Sequence, residues 1–287
     1  MSFDRILFPV DMSEQCRRAA PYVKALAGRF HSEVILLHVF ELPLLMTGMP
    51  DSPAWSLMIE SDEARVVRRA ELETFLAGSF AGFNVRREMA EGDPALQITC
   101  YAKEQKVDLI MMPTHGYGRF RRLLLGSVTA KVLHDAGRPV WTSVHTTELT
   151  SHPPERCRLI LCAVDTNPRD IEVIRWAAEF GKEQEADVQL VHAIQGGDPG
   201  ESDSAAFNSF LARFAQEELS KMQAKAGTAL KISMPLGKPA QVVHTAALEQ
   251  DADLVVIGRG VLKEALGRLR SNAYSIIRDS PCPVLSV

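Results

Sequence analysis

The chain has 287 residues, 46% of them hydrophobic and 24% charged, and its formal net charge is −4 at pH 7. This composition is typical of a globular protein, and the acidic balance argues against a general nucleic-acid-binding surface. No apolar stretch approaches the roughly 20 residues of a membrane span, so we expect neither a membrane partner nor a secretory leader. Five scattered cysteines without a C-x-x-C pair indicate a reducing cytoplasm, with Cys100 and Cys162 as small core residues.

Apolar runs alternate with helical spacings through the first half of the chain. Ser13 is placed to cap the first helix, and Pro94 takes the first position of a later helix, which proline tolerates. A Pro-, Gly- and Met-rich stretch, Glu41–Ser56, is predicted to be a long loop. The predicted elements are strand Arg5–Asp11, helix Ser13–Phe30, strand Glu33–Phe40, helix Glu60–Ser79, strand Phe83–Met89, helix Ala95–Gln105, strand Asp108–Met112, helix Ser127–Asp135 and strand Pro139–Val144.

The second half follows the same order of elements after a linker, His145–Glu155. The predicted elements are strand Arg158–Val164, helix Arg169–Glu185, strand Asp187–Ile194, loop Gly196–Ser204, helix Phe207–Ala226, strand Leu230–Met234, helix Pro239–Gln250, strand Leu254–Ile257, helix Asn272–Asp279 and strand Pro283–Val287. Strands that are continuous apolar runs, separated by helices, predict a parallel sheet that is covered on both faces, with right-handed crossovers.

Blocks of sequence recur in the same order in the two halves. The pairs are RILFPVD with LILCAVD, VILLHV with VQLVHA, GDPA with GKPA, and VDLIMM with ADLVVI. An ordered repeat of this length indicates two copies of one domain. We therefore predict an α/β protein of two tandem doubly wound, Rossmann-like domains, residues 1–147 and 156–287, each with a five-stranded parallel sheet and helices on both faces.

One edge of the first predicted sheet collects residues that could hold a ligand, because open parallel sheets bind ligands beyond the carboxyl ends of their strands. Gly126 and Ser127 open the last helix, where N–H groups and the helix dipole favour an anion and a glycine lets a phosphate approach the backbone. The loop before them supplies three arginines as counter-charges: Arg119, Arg121 and Arg122. The alternative without a ligand is an ordinary capped helix start beside a solvated basic loop.

The segment that follows the fourth strand carries a family resemblance. It has the form G-x-x-G, nine residues, G-S, with Pro113 standing at the first glycine. Together with the P-V-D that ends the first strand and the R-P-V that opens the fifth, it resembles the nucleotide-binding signature of the universal stress protein family. The resemblance extends over both halves of the chain, so it implies a tandem universal stress protein.

The resemblance implies that the first domain binds ATP or another adenine nucleotide, accompanied by Mg²⁺. Asp11 would lie at the ribose and adenine end of the ligand, with Val39 beside the adenine. Gly116, Gly126 and Ser127 would contact the phosphates. Val128 and Thr129, the next two residues of the helix, would belong to the same site. The implied site residues are Pro9, Val10, Asp11, Val39, Met112, Pro113, His115, Gly116, Arg119, Gly126, Ser127, Val128 and Thr129.

Both copies depart from the family pattern. Pro113 has no N–H and a fixed φ, so any contact that needs that donor is lost in the first copy. In the second copy, Gly258 and Gly260 have only one residue between them, and Arg270 replaces the glycine before Ser271. An arginine there would crowd a phosphate, although it could itself pair with an anion. We therefore expect the second site to have lost ATP or to have changed its ligand.

Several of these residues have structural explanations beside the functional ones. Asp11 could cap the helix that begins near Ser13, alone or while also binding a ligand. His115 is more simply a loop contact than a general base, since the sequence pairs it with no acid or nucleophile. His38 and His192 occupy equivalent places in apolar strands and are expected to be hydrogen-bonded core residues. The sequence contains no metal-ligand spacing, P-loop or dinucleotide fingerprint.

The apolar, Met-rich loop Leu42–Met58 has two interpretations, a lid over the adenine pocket or a surface that packs on the other domain or on a protein partner. We favour packing. The two domains are expected to pair through their last strands, Pro139–Val144 and Pro283–Val287, and the chain could also form a homodimer.

Three functions remain open at this point. The first is a cytoplasmic stress-response or signalling protein that binds an adenine nucleotide in its first domain. The second is a slow ATP hydrolase at the same site, which we favour less because the sequence offers no aligned general base. The third is an interaction protein in which Pro113 and Arg270 have closed both sites, with an unidentified protein as its partner.

Overall fold

The computed structural model describes residues 1–41, 54–115, 125–143, 157–197, 204–259 and 271–287. Most of the predicted loop Leu42–Met58 and nearly all of the predicted linker lie outside these residues. The chain divides into two compact units, the first built mainly from residues 2–138 and the second mainly from Pro139–Val287.

The first unit contains a parallel sheet of strand order β3-β2-β1-β4. Its elements are β1 (Arg5–Pro9), α1 (Glu14–Phe30), β2 (Glu33–Phe40), α2 (Ala54–Thr74), β3 (Val85–Glu91), α3 (Pro94–Glu104), β4 (Leu109–Met112) and α4 (Ser127–Asp135). The strand order reverses between β1 and β4, since β2 and β3 lie to one side of β1 and β4 lies to the other. A crevice between carboxyl ends is expected at such a reversal.

The second unit contains the order β5-β10-β9-β6-β7-β8. Its elements are β5 (Val140–Thr142), β6 (Leu159–Ala163), α5 (Asp170–Gln184), β7 (Asp187–Val191), α6 (Ser204–Ala226), β8 (Lys231–Ser233), α7 (Pro239–Glu249), β9 (Leu254–Ile257), α8 (Ser271–Asp279) and β10 (Val284–Ser286). Strands β6 to β10 repeat the parallel order of the first unit, with the reversal between β6 and β9.

Strand β5 is the last strand of the first sequence repeat, yet it belongs to the second unit. It pairs antiparallel with β10, where Trp141 lies opposite Leu285. The hydroxyl of Thr142 also donates to the carbonyl oxygen of Val284 at 3.1 Å. This is the pairing of terminal strands that the sequence predicts, and it adds one antiparallel strand to an otherwise parallel sheet.

The strands form where the sequence has continuous apolar runs. All four residues of β4 and all four of β9 are buried, as are the central residues of β2. Strands buried on both faces need helices above and below, and each fully buried Leu or Ile contributes about 1.5–3 kcal/mol to stability. The predicted α/β class with mostly parallel sheet is therefore confirmed.

Helix boundaries follow their capping residues. The Ser13 side chain accepts the Cys16 N–H at the start of α1, as predicted, and Asp93 caps α3 directly before Pro94. Helix α2 begins at Ala54 and ends at Thr74, earlier at both ends than predicted. The chain leaves the helical region soon after Thr74, since Leu76 has a φ of +57°.

The cysteine prediction is half right. Cys162 is fully buried, but Cys100 is exposed. The buried positions of α3 are Ala95, Ile98 and Ala102, so Cys100 falls on the outer face of the helix. Among the described residues, no helix is long and apolar enough to cross a membrane.

Candidate functional site

The carboxyl ends of β2, β1 and β4 meet at one edge of the first unit. Val39 lies near the end of β2, Asp11 follows β1, and Met112 ends β4. The chain just after β1 is fixed, because Val10 is buried and its N–H donates to the Leu37 carbonyl at 2.8 Å. Pro9, the last residue of β1, is buried as well. Predicted site residues from three strands are thus brought to the edge where the strand order reverses.

Asp11 is half-buried, and two donors converge on its Oδ1 atom. The Ser13 N–H donates at 2.9 Å and the Cys16 thiol at 3.1 Å. Met12, between Asp11 and Ser13, has a φ of +62°, and this conformation turns the chain into α1. Asp11 therefore supports the helix start through the N–H of Ser13, while Ser13 itself is the residue that caps α1. The contact with Cys16 is one that the sequence reasoning missed, since the spacing of five residues has no fixed meaning until the turn geometry is known.

The start of α4 is tied to the end of β4 by two hydrogen bonds. The Gly126 N–H donates to the Thr114 carbonyl oxygen at 2.8 Å. The hydroxyl of Thr129 donates to the Pro113 carbonyl oxygen at 3.1 Å. Thr114 and Thr129 are both buried. The Thr129 hydroxyl and the Gly126 N–H therefore have structural partners, which leaves Thr129 only its backbone as a candidate ligand contact.

Gly126 is a glycine for a packing reason. A Cβ atom at this position would lie 3.2 Å from the His115 Cα and 3.3 Å from the Thr114 carbonyl oxygen. The close approach of two backbone segments, rather than of the backbone and a ligand, is therefore the first reason for a glycine at this position. The sequence reasoning assigned the glycine to a phosphate alone and missed Thr114.

The first turn of α4 has the features of an anion site. Gly126 is its N-cap residue and no side chain caps the helix. The N–H groups of Ser127, Val128 and Thr129 lie in that first turn, where a helix offers donors without intrahelical acceptors. Ser127 is exposed, so its hydroxyl and amide are accessible. The residues therefore fit a phosphate, through backbone amides and one hydroxyl.

Other predicted site residues are only partly described. The His115 ring lies with its Nδ1 atom 3.1 Å from the Thr114 hydroxyl, which agrees with a loop contact. Gly116, Arg119, Arg121 and Arg122 lie outside the described residues. In the part of the chain that the structure covers, no group of three or more His, Cys, Asp or Glu side chains could hold a metal ion.

His38, in β2, and His192, directly after β7, are structural. The His38 Nδ1–H donates to the Val10 carbonyl at 2.8 Å, and the His192 Nδ1–H donates to the Val164 carbonyl at 3.0 Å. Each ring thus holds the segment that follows the first strand of its sequence repeat, β1 or β6. Both are hydrogen-bonded as predicted, but the prediction of a core position is confirmed only for His192, since His38 is half-buried.

The equivalent edge of the second unit differs at the positions that correspond to the predicted site residues of the first. Asp165, the counterpart of Asp11, is exposed, and its backbone N–H donates to Oδ2 of Asp170 at 2.7 Å. A Cβ atom on Gly258 would lie 2.9 Å from the Val173 side chain, so this glycine packs tightly on α5. Gly260 and Arg270 lie outside the described residues.

A cavity of about 480 Å³ lies in the second unit between α5 and the ends of β9 and β10. Burial lowers the pKa of the Arg259 guanidinium that lines it. Its walls carry three basic and three acidic side chains, so the lining has no dominant charge. The lining residues are Pro139, Arg169, Asp170, Glu172, Val173, Arg175, Trp176, Glu179, Gly258, Arg259 and Val287.

Comparison with known proteins identifies relatives over both halves. The model of the universal stress protein family matches residues 2–143 and 157–287. Universal stress protein MJ0531 of Methanocaldococcus jannaschii is 31% identical over 138 residues, which are 48% of this chain and 80% of that protein. Universal stress protein MJ0577 of the same organism is 31% identical over 156 residues, 48% of this chain and 93% of that protein.

A solved structure resembles nearly the whole chain. It is the crystal structure of a universal stress protein from Archaeoglobus fulgidus DSM 4304, with a TM-score of 0.64 and 22% identity. The likeness covers 98% of this chain and 95% of that one. At this identity it supports the fold and nothing finer.

Proposed function

The chain belongs to the universal stress protein family, and we propose that its first domain binds ATP or another adenine nucleotide as part of a cytoplasmic stress-response or signalling role. The observation that carries the proposal is the start of α4. It has no side-chain cap, and the Gly126–Thr114 hydrogen bond ties it to the end of β4. An anion-binding helix start at the reversal of strand order is where an open α/β sheet holds phosphates.

Each part of the nucleotide meets a different element in this proposal. The phosphates accept from the N–H groups of Ser127 and Val128 and from the exposed Ser127 hydroxyl. The ribose lies near Asp11, and the adenine lies beside Val39 at the end of β2. Mg²⁺ would accompany the phosphates and offset their charge; we assign it no protein ligand.

Pro113 weakens this site without closing it. Proline provides no N–H, so one phosphate donor of the family pattern is lost. Its carbonyl oxygen accepts from Thr129 and thereby helps to hold the start of α4 in place. The remaining amides keep their geometry, and we expect the loss to lower affinity rather than to abolish binding.

A charge reversal at the helix start tests the proposal. Ser127→Asp places a carboxylate in the first turn of α4, where it interacts favourably with the helix dipole but repels a phosphate. We expect wild-type protein to bind ATP saturably in isothermal titration calorimetry, and the variant to bind at least about tenfold more weakly. Thermal unfolding should show that the variant is no less stable than the wild type.

The matched control is Ser271→Asp at the start of α8, the corresponding position of the second domain. It introduces the same charge, so ATP affinity should stay at the wild-type value. Equal ATP binding by wild type and Ser127→Asp would contradict the proposal, and so would a complete absence of binding by the wild type. The second result would favour an interaction protein with both sites closed.

Slow hydrolysis at the same site is a weaker alternative. His115 has the Thr114 hydroxyl beside its Nδ1 atom, and nothing in this contact prepares a water for attack. ADP release that rises in proportion to enzyme concentration and disappears in His115→Ala would support it.

A further inference from the structure

Cys16 lies in the first turn of α1 with its thiol directed at Asp11. The side chain is 1% exposed, and its Sγ atom is 3.1 Å from Oδ1 of Asp11. The Ser13 N–H reaches the same oxygen atom from the backbone at 2.9 Å. A backbone donor and a side-chain donor thus hold one carboxylate oxygen from two directions.

The thiol is the donor in this contact. Burial raises the pKa of Cys16 far above its usual range, and the negative charge of Asp11 raises it further. The group therefore stays protonated at neutral pH and keeps its S–H proton for the carboxylate. A charged acceptor strengthens a hydrogen bond, which compensates for the weak donor character of a thiol.

The corresponding turn of the second domain lacks this donor and has a different backbone, because Thr166 has no positive φ to match that of Met12 and α5 begins only at Asp170. The residue five positions after Asp165 is Asp170, whose carboxylate can only accept. It accepts the backbone N–H of Asp165 instead of holding its side chain. The Asp165 side chain is exposed, whereas that of Asp11 is half-buried.

We propose that Cys16 is a positioning residue of the nucleotide site, because its thiol fixes the carboxylate of Asp11 in the orientation that accepts the 2′-hydroxyl of the ribose. The first domain would then prefer ribonucleotides to 2′-deoxyribonucleotides. This inference rests on the proposed nucleotide binding of the first domain. It assigns Cys16 a role through Asp11 and no contact with the ligand. A carboxylate that is oriented before binding loses less conformational entropy when the ligand arrives.

The test compares Cys16→Ala and Cys16→Ser by calorimetric titration with ATP and with 2′-deoxy-ATP. Alanine removes the donor, whereas serine keeps one in the same place. We expect Cys16→Ala to weaken ATP binding about threefold to tenfold, the size of one ordinary hydrogen bond. Binding of 2′-deoxy-ATP should change little, so the preference for ATP shrinks. Cys16→Ser should recover most of that preference.

A second buried thiol provides the control for packing. Cys162 is fully buried in β6, and its Sγ atom donates to the Val173 carbonyl oxygen at 4.0 Å. Cys162→Ala creates a comparable small cavity, and we expect unchanged affinity for both nucleotides. If Cys16 only fills space, Cys16→Ala should weaken the binding of ATP and of 2′-deoxy-ATP equally, and this result would contradict the positioning role.

A double-mutant cycle separates the remaining outcomes. In an Asp11→Ala background the thiol has no carboxylate to hold, so adding Cys16→Ala should leave the ATP affinity unchanged. If it lowers the affinity as much as in the wild type, the positioning role is wrong while nucleotide binding stands. If the wild type binds neither nucleotide, the proposed function itself fails and this inference fails with it.

Discussion

The two domains share the V-D that directly follows β1 and β6, and they differ in the turn that comes after it. In the first, Asp11 accepts from Ser13 and from Cys16. In the second, the side chain of Asp165 accepts the N–H of its neighbour Thr166, and Asp170 occupies the position of the thiol. A repeated aspartate is therefore not a repeated site. The turn geometry and the residue five positions later, Cys16 or Asp170, both differ where the exposure of the carboxylate differs.

The largest effect should come from giving the first domain the residue of the second. Cys16→Asp would bury a second carboxylate beside Asp11 at a position that is 1% exposed. An uncompensated buried charge costs about 3–5 kcal/mol, and we expect that loss in urea unfolding at pH 7. Lowering the pH should restore part of the lost free energy of unfolding, since burial raises the pKa of the introduced carboxyl and the neutral form is tolerated. Unchanged stability at pH 7 would show that the pocket around the thiol is wetter than its burial indicates.

The reciprocal change is the control. Asp170→Cys in the second domain removes an acceptor from a half-buried position at the start of α5. The Asp165 N–H loses its partner but can turn to water, so the expected cost is below about 1 kcal/mol. A large loss here would mean that the asymmetry between the domains reflects general intolerance of the turn.

A second contrast lies at the blocks GDPA and GKPA, which open α3 and α7. Asp93 caps α3 by accepting the Leu96 N–H at 3.0 Å, and its carboxylate also pairs with Lys131 at 3.1 Å. Lys238, at the same position of the repeat, makes no side-chain cap. Asp93→Ala should lower the free energy of unfolding by about 1 kcal/mol, mostly through the lost cap, because exposed ion pairs contribute little.

The same residue has a pH signature. The Leu96 N–H, and then the Lys131 ammonium, lower the pKa of Asp93 in the folded state. Its contribution is therefore complete at neutral pH and is lost as the pH falls below about 4, through the lowered pKa. Wild type and Asp93→Ala should differ in urea unfolding at pH 7 and converge under acid. A gap that persists at pH 2 would assign the effect to something other than the carboxylate.

Local patterns predicted the parts of the fold that depend on neighbouring residues. The bounds of β2, β9 and α4 agree with the structure, because each is a continuous apolar run or a helix with a clear start signal. The contact of Cys16 with Asp11 could not be predicted, since it depends on the positive φ of Met12. The tight approach of Gly126 to Thr114 likewise joins segments that the sequence separates. Apolar periodicity records which face is buried, and it does not record which atoms meet at a turn.

The smallest effect should come from giving the second domain the cap of the first. Lys238 is exposed, and its backbone already has the extended conformation of an N-cap residue, with φ −74° and ψ 139°. Asp93 has nearly the same backbone, with φ −67° and ψ 120°. Lys238→Asp should therefore raise the free energy of unfolding by about 0.5–1 kcal/mol through a new cap and a favourable charge at the helix start. Lys238→Ala is the control and should gain nothing. If both variants gain equally, relief from the lysine's charge at the helix start is the cause, and the difference between the two domains at this turn is electrostatic rather than a matter of capping.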